Sequence, residues 1–191
     1  MALNTPARFG LQVGEYALLT LHRPSNVDVR EVFSGILDAL VAIQQHLPIL
    51  FPVHPRTRER IAEFGFSPRL ADAPNLRLTE PLGYLEFLDL MMHAKMVLTD
   101  SGGIQEETTI LGIPCLTIRE STERPITITE GTNTLVGTSP GRIIAEAQRI
   151  LSGDSKVGRT PELWDGRAAE RIVAIIRRVV GGGEQLGAGL R

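Results

Sequence analysis

The sequence predicts an open, doubly wound α/β sheet, and three observations predict it. Short apolar runs recur at 16–21, 48–53, 75–79, 95–99, 114–118 and 132–136. They are nearly continuous hydrophobic runs rather than strict alternations, as befits strands covered on both faces of a parallel sheet. Helical patterns separate them, and right-handed crossovers convert such an alternation into a parallel sheet with helices on both sides. Sheets of this kind bind ligands beyond the carboxyl ends of their strands, so chemistry is sought just after each run.

The elements follow in order. After the first run, Asp28 precedes an amphipathic stretch with Val32, Ile36, Leu37, Leu40 and Ile43 on one face. Asp28 and Glu31 have capping-box spacing, with Asp in place of the usual Ser or Thr, so Asp28 is expected to start that helix. Further helices are expected at 55–64, 84–93, 102–111, 125–130, 140–151 and 166–180, the last with Ala168, Ile172, Ile176 and Val179 on one stripe. His46 and His93 fall at helix ends, where His is favourable in any case. One domain is expected over 1–180, with a flexible tail over 181–191 that opens at Gly181-Gly182-Gly183. No internal repeat or low-complexity block is visible.

Composition narrows the functional classes. A chain of 191 residues, 42% hydrophobic and 22% charged, has the ordinary balance of a soluble globular domain with one core. Twenty basic against 22 acidic residues leave a formal charge of −2. No basic excess points to nucleic acid or an anionic membrane, so any anion must be held by a local site. No apolar run approaches the roughly 20 residues of a membrane span. With no signal-peptide pattern at the N-terminus, a cytoplasmic location is expected. Cys115, the only cysteine, lies in an apolar run and is expected to be a buried thiol, not a nucleophile. No Cys/His/Asp group has metal-ligand spacing and no G-x-S-x-G elbow occurs, so neither a metal nor another cofactor is expected.

The most informative stretch is Thr99-Asp100-Ser101-Gly102-Gly103-Ile104-Gln105-Glu106-Glu107. A strand ends near Thr99 and a helix begins at two glycines. Without a Cβ, Gly102 and Gly103 let a ligand touch the backbone; Ser101 can cap, and the open N–H groups and positive dipole end favour a phosphate. It is neither a Walker loop nor a G-x-G-x-x-G fingerprint. The alternative is a helix start whose glycines serve only tight packing. Glu106 and Glu107 follow within about a turn, and spacing does not choose between them as the one facing a ligand.

Two other loops follow strand ends. His22 and Arg23, in Leu21-His22-Arg23-Pro24, offer a titratable donor beside a permanent cation, suited to a phosphate or a leaving group. In Glu120-Ser121-Thr122-Glu123-Arg124-Pro125, Pro125 suits a helix first turn and places Arg124 at its positive end. That placement is unfavourable unless an anion compensates, whether a phosphate or Glu123 or Glu120. Phe87 could stack on a base or pack in the core with Leu88 and Met91. His54 could be a ligand contact or an ordinary loop residue.

Together these motifs resemble one family. Thr20-Leu21-His22-Arg23, Pro52-Val53-His54, Ser101-Gly102-Gly103-Ile104-Gln105-Glu106-Glu107 and Thr122-Glu123-Arg124-Pro125, in this order, are similar to the C-terminal half of non-hydrolysing UDP-N-acetylglucosamine 2-epimerases. Glu130-Gly131-Thr132-Asn133 and Leu135-Val136-Gly137 match as well, and the resemblance runs over 16–180. It implies a Rossmann-like half of a glycosyltransferase-B-like two-domain enzyme, with the active site in the cleft between halves. It further implies that Ser101, Gly102 and Gly103 hold a pyrophosphate, Glu107 takes the ribose hydroxyls, and Phe87 lies beside the uracil. Arg124, with Arg23, contacts the nucleotide; His22 is the catalytic group near the departing phosphate, and His54 is a possible regulatory or second-site residue. The reaction implied interconverts UDP-GlcNAc and UDP-ManNAc by elimination and re-addition of UDP.

Two departures stand out. Many members carry Glu shortly after His-Arg, where this chain has Pro24-Ser25, and the N-terminal catalytic domain of the family is missing from the sequence. The expected partners are therefore UDP or UDP-GlcNAc and the missing N-terminal domain, with a second copy in a homodimer as a further option, and with no nucleic acid and no membrane. A glycosyltransferase donor domain and a non-enzymatic UDP-sugar-binding module are the competing readings.

Overall fold

In the computed structural model, which describes residues 3–182, six parallel strands form one sheet in the order β3-β2-β1-β4-β5-β6. The elements are α1 (Thr5–Arg8), β1 (Ala17–Thr20), α2 (Pro24–Val27), α3 (Arg30–Ile43), β2 (Ile49–Pro52), α4 (Pro55–Glu63), α5 (Ser67–Ala71) and β3 (Leu76–Thr79). Then come α6 (Tyr84–Met92), β4 (Met96–Thr99), α7 (Gly102–Leu111), β5 (Cys115–Thr117), α8 (Pro125–Thr129), β6 (Asn133–Leu135), α9 (Pro140–Leu151) and α10 (Ala168–Gly182). The strands therefore lie inside the apolar runs, and the doubly wound α/β fold is the one the sequence predicts.

The runs are continuous because both sheet faces are covered. Leu18, Leu50, Val97 and Cys115 sit side by side in register across β1, β2, β4 and β5. They pack with Leu90 and Met91 of α6 and, partly buried, Ile104 of α7. Their neighbours Leu19, Leu98 and Leu116 form the matching row on the opposite face. There they join Phe33, Ile36 and Leu40 of α3 and Ile143, Ala147 and Ile150 of α9. Gly35 lets α3 and α9 approach closely, since a Cβ there would come within 3.1 Å of the Pro140 ring. Cys115 is buried in β5, and burial pushes its thiol up to about 12, which leaves it inert as a nucleophile.

The chain winds from β1 through β2 to β3 at one edge, then returns to β4 and continues through β5 to β6. Between β1 and β4 the crossovers diverge, and the loops leaving these two strands bound a crevice at the carboxyl edge. That is the topological switch point.

Three local expectations need correction. Asp28 does not cap α3: Val29 is the N-cap residue, and the Asp28 carboxylate instead pairs with Arg56 and Arg60 of α4. Arginine competition thus takes the oxygen that a capping box would use. The helices α1, α2 and α5 were not foreseen; at four or five residues each they are too short to show a 3.6-residue period. Helix α10 continues through Gly181 and Gly182, where a tail was expected to begin; residues 183–191 lie outside the described residues.

The chain divides into two units, Met1–Arg159 and Thr160–Arg191. The first holds the sheet. In the second, Arg171 pairs with Asp165 and Arg167 with Glu170 at the start of α10. Among the described residues no helix is long and apolar enough to cross a membrane.

Candidate functional site

The site is organised by a carboxylate at the end of β4. Thr20 of β1 and Thr99 of β4 are register partners, so the residues that follow them leave the sheet together. Asp100, the first residue past β4, is fully buried. Its carboxylate accepts the backbone N–H of His22 at 3.0 Å, that of Arg23 at 2.9 Å and the Asn26 side-chain amide at 3.2 Å. His22 Nδ1 lies 3.1 Å from the other carboxylate oxygen. Arg23 Nε donates to the Asp100 carbonyl at 2.8 Å, and the Asn26 amide also donates to the Ile118 carbonyl beyond β5. A buried carboxylate is tolerated only when such donors replace its water. One acid and one amide thus join the tips of β1, β4 and β5.

His22 remains 39% exposed at its side chain, open to a ligand on one side while Asp100 holds the other. The hydrogen bond to Asp100 raises its pKa above the usual imidazole value, against smaller opposing effects of partial burial and the Arg23 charge. The His54 ring lies 5.7 Å away, centroid to centroid.

Helix α7 opens toward the same crevice. Ser101 occupies the N-cap position in an extended conformation, yet its hydroxyl makes no capping bond, and no acid lies in the first turn. Instead the Ser101 N–H donates to Thr99 Oγ1 at 3.0 Å. The helix N–H groups are left for another acceptor. A Cβ on Gly102 would meet nothing within 4 Å, and one on Gly103 would only reach Ser101 Oγ at 4.0 Å. Neither residue has positive φ. Tight packing, the alternative explanation for this glycine pair, therefore finds no neighbour to pack against.

The third loop is fixed on the second turn of α7 by a residue the sequence reading passed over. Gln105 is fully buried; its amide nitrogen donates to Ser101 O at 3.1 Å and its amide oxygen accepts from the Thr122 hydroxyl at 2.6 Å. Asn133 at the start of β6 donates to the Gln105 carbonyl at 3.0 Å, completing the tie. Arg124 is the N-cap residue of α8, as expected, but its compensating anion is Glu106 at 2.7 Å, neither Glu120 nor Glu123. Glu123 forms a two-bond pair with Arg119, which holds its carboxyl at about 2, and lies 3.8 Å from Arg23. Glu120 accepts from the backbone and hydroxyl of Thr138. The local charges are spoken for by one another.

Glu107 is different. One carboxylate oxygen accepts from the Tyr84 hydroxyl at 3.3 Å, while the other is buried without a partner among the described residues. Phe87, on α6, is half-buried and packs against the cluster of Leu90 and Met91. His54 is the N-cap of α4, its Nδ1 accepting the Arg56 N–H at 3.2 Å. A cleft of about 340 Å³ opens beside Arg23, lined also by Asn26, Val32, Arg119 and Thr138. The histidine, glycine and arginine loops thus converge on one edge of the sheet. Asp100, Asn26, Gln105 and Tyr84 were not singled out as site residues; the visible signal was an acid directly after β4, with an amide six residues past the ends of both β1 and β4.

Fold and geometry define a Rossmann-like α/β domain whose candidate site lies at the β1–β4 switch point, facing an uncapped helix N-terminus. The family model described as UDP-N-acetylglucosamine 2-epimerase matches residues 3–177, and the chain belongs to that family. A UDP-N-acetylglucosamine 2-epimerase of Methanocaldococcus jannaschii is 42% identical over 164 residues, 85% of this chain and 44% of the relative. A UDP-2,3-diacetamido-2,3-dideoxy-D-glucuronate 2-epimerase of Pseudomonas aeruginosa is 39% identical over 166 residues, 86% of this chain and 45% of the relative. The crystal structure of the M. jannaschii UDP-GlcNAc 2-epimerase in complex with UDP-GlcNAc and UDP aligns with a TM-score of 0.80 at 41% identity, over 92% of this chain and 48% of that one. The chain spans less than half the length of these relatives.

Proposed function

We propose that this chain binds the UDP part of a UDP-sugar and serves its 2-epimerisation, interconverting UDP-GlcNAc and UDP-ManNAc as one half of a glycosyltransferase-B-like enzyme. The observation that carries the reading is the start of α7: an uncapped helix N-terminus whose two glycines meet no packing or backbone need. Glycine there makes sense if a diphosphate lies against the backbone N–H groups of Gly102 and Gly103, with the unused Ser101 hydroxyl beside them. The curated relatives' names share UDP and 2-epimerisation and differ in the sugar, which fits a domain that reads the nucleotide.

The remaining roles follow from where each side chain stands around that helix start. Glu107, whose Oε1 faces the exposed Tyr84 hydroxyl, takes the ribose hydroxyls. Phe87 presents its exposed part to the uracil. Arg23 and Arg124 supply positive charge at the diphosphate, and His22 donates to the phosphate oxygen that departs from the sugar. The C2 proton of such a sugar is not acidic. Elimination circumvents this: a base takes the C2 proton while the C1–O bond breaks, and its electron pair leaves on UDP. Adding UDP back to the resulting glycal, with C2 protonated from the opposite face, gives the epimer. The helix N–H groups and cations stabilise the charge on the leaving UDP. The C2 base comes from outside these 191 residues, consistent with relatives more than twice as long as the matched segment.

Calorimetry of UDP against the 191-residue chain, with epimerisation of UDP-GlcNAc followed in parallel, tests this. The expected result is saturable UDP binding that weakens with salt, and no turnover. Absence of UDP binding overturns the site; turnover by the chain alone overturns the assignment of the base to another segment.

A further inference from the structure

We propose that Asp100 is the positioning residue of this site: its carboxylate fixes the Nδ1–H form of the His22 ring, so that Nε2 is the nitrogen offered to a phosphate oxygen. The inference rests on the nucleotide reading above and adds the group that makes His22 fit for it. Nothing in the local sequence requires this pairing, since the two residues are 78 positions apart and meet only because β1 and β4 are neighbours.

The geometry leaves Asp100 little freedom. It is fully buried at a strand end, and both its oxygens face N–H donors of the histidine loop. With Oδ1 acting as an acceptor, the 3.1 Å contact is attractive when the hydrogen sits on His22 Nδ1. A neutral imidazole otherwise carries its hydrogen on either nitrogen. Two further hydrogen bonds hold the backbone of the same loop, so the ring and its support are anchored to one carboxylate. In the neutral ring Nε2 is a bare acceptor, useless against a phosphate; in the imidazolium it is a charged donor. Asp100 favours the second state, chiefly because its hydrogen bond to the ring strengthens when the ring is charged, and this outweighs the opposing effects of partial burial and the Arg23 charge. The groups facing His22 are thus Asp100, Arg23 and the His54 ring. It is the logic by which a buried acid orients a histidine in hydrolase triads, here aimed at a leaving group.

Nitrogen-15 NMR of the His22 ring in the full chain, in wild type and Asp100→Asn, decides the matter. In wild type at high pH the ring is expected in the Nδ1–H form, and it is expected to titrate above the ordinary value of about 6.5. In Asp100→Asn the ring should bind its proton about tenfold less tightly, the scale expected when a charge-assisted hydrogen bond is lost. UDP affinity measured between pH 7 and 9 should fall with rising pH in wild type and stay flat in the variant. The wild-type tautomer needs no variant, so a misfolded Asp100→Asn protein does not shield the proposal. A ring in the Nε2–H form, or an unchanged titration in a folded variant, overturns it while leaving UDP binding intact. Failure of wild type to bind UDP overturns the nucleotide reading instead, and the tautomer still decides the Asp100–His22 pair.

Discussion

Helices α4 and α7 both begin just past the carboxyl end of a strand, and their first turns are finished in opposite ways. At α4 the His54 ring caps the Arg56 N–H and Pro55 removes another donor at the outset. Asp28 then pairs with Arg56 and Arg60 along the same helix. At α7 the serine in the capping position leaves its hydroxyl unused, no acid stands in the first turn, and glycines open the helix. One end is closed by the protein itself; the other has no side-chain cap among the described residues. The comparison locates the site better than a count of charges does, because Arg23, Arg119 and Arg124 already have acidic partners.

The largest effect expected from breaking this contrast comes from Gly102→Ala and Gly103→Ala. In the folded chain neither methyl group meets a neighbour, and alanine is the better helix former. Stability should rise by a few tenths to about 1 kcal/mol. UDP affinity should fall at least about tenfold, or about 1.4 kcal/mol, because the methyl group would occupy the place proposed for the diphosphate. Thermal melts and calorimetry on the same samples check both signs. Opposite signs are the mark of a ligand glycine; loss of both stability and affinity would return these residues to a packing role.

Much of this was legible in the sequence, and the part that was not has a common cause. The continuous apolar runs gave the strands because burial on both sheet faces leaves no room for polar alternation, as Leu18 and Leu19 illustrate on opposite faces. The glycine pair and the two arginine-bearing loops stood out because strand-end position is readable along the chain. Asp100 as the anchor of His22 was hidden, since their meeting depends on β1 lying beside β4. Gln105 was hidden for the same reason: its partner Thr122 is 17 residues away across a strand. For Arg124 the sequence offered a phosphate or the loop acids Glu123 and Glu120 as counter-charge, whereas helical geometry brought Glu106 within 2.7 Å from α7. Asp28 had the spacing of a cap but was claimed by arginines of the next helix. Local pattern shows which groups are present; tertiary neighbours decide what each is used for.

A smaller effect is expected at the closed end. His54→Ala removes the acceptor of the Arg56 N–H and should cost about 1 kcal/mol of stability, the usual scale of a lost N-cap. UDP affinity should change by less than about twofold, far short of the decade in affinity that 1.4 kcal/mol represents. Chemical denaturation and calorimetry separate the two. A strong affinity loss with little change in stability would move His54 from the scaffold into the ligand site, and the contrast between the two helices would lose its closed member.

The smallest effect concerns Asp28, whose carboxyl is held at about 2 by hydrogen bonds and charge from Arg56 and then Arg60. The unfolded carboxyl titrates near 3.9, so the native value lies below it. The stabilisation is therefore fully present above about pH 4 and is lost as pH falls toward 2. Exposed pairs of this kind contribute little, and Asp28→Asn should leave the neutral-pH melting temperature almost unchanged while flattening its dependence on acid below pH 4. Melts of both proteins from pH 7 down to pH 2, at low and high salt, read this out. A large loss at neutral pH would mean that Asp28 holds the junction between α2 and α3 through more than its two arginines, and that the closed end of α4 depends on a residue outside its own first turn.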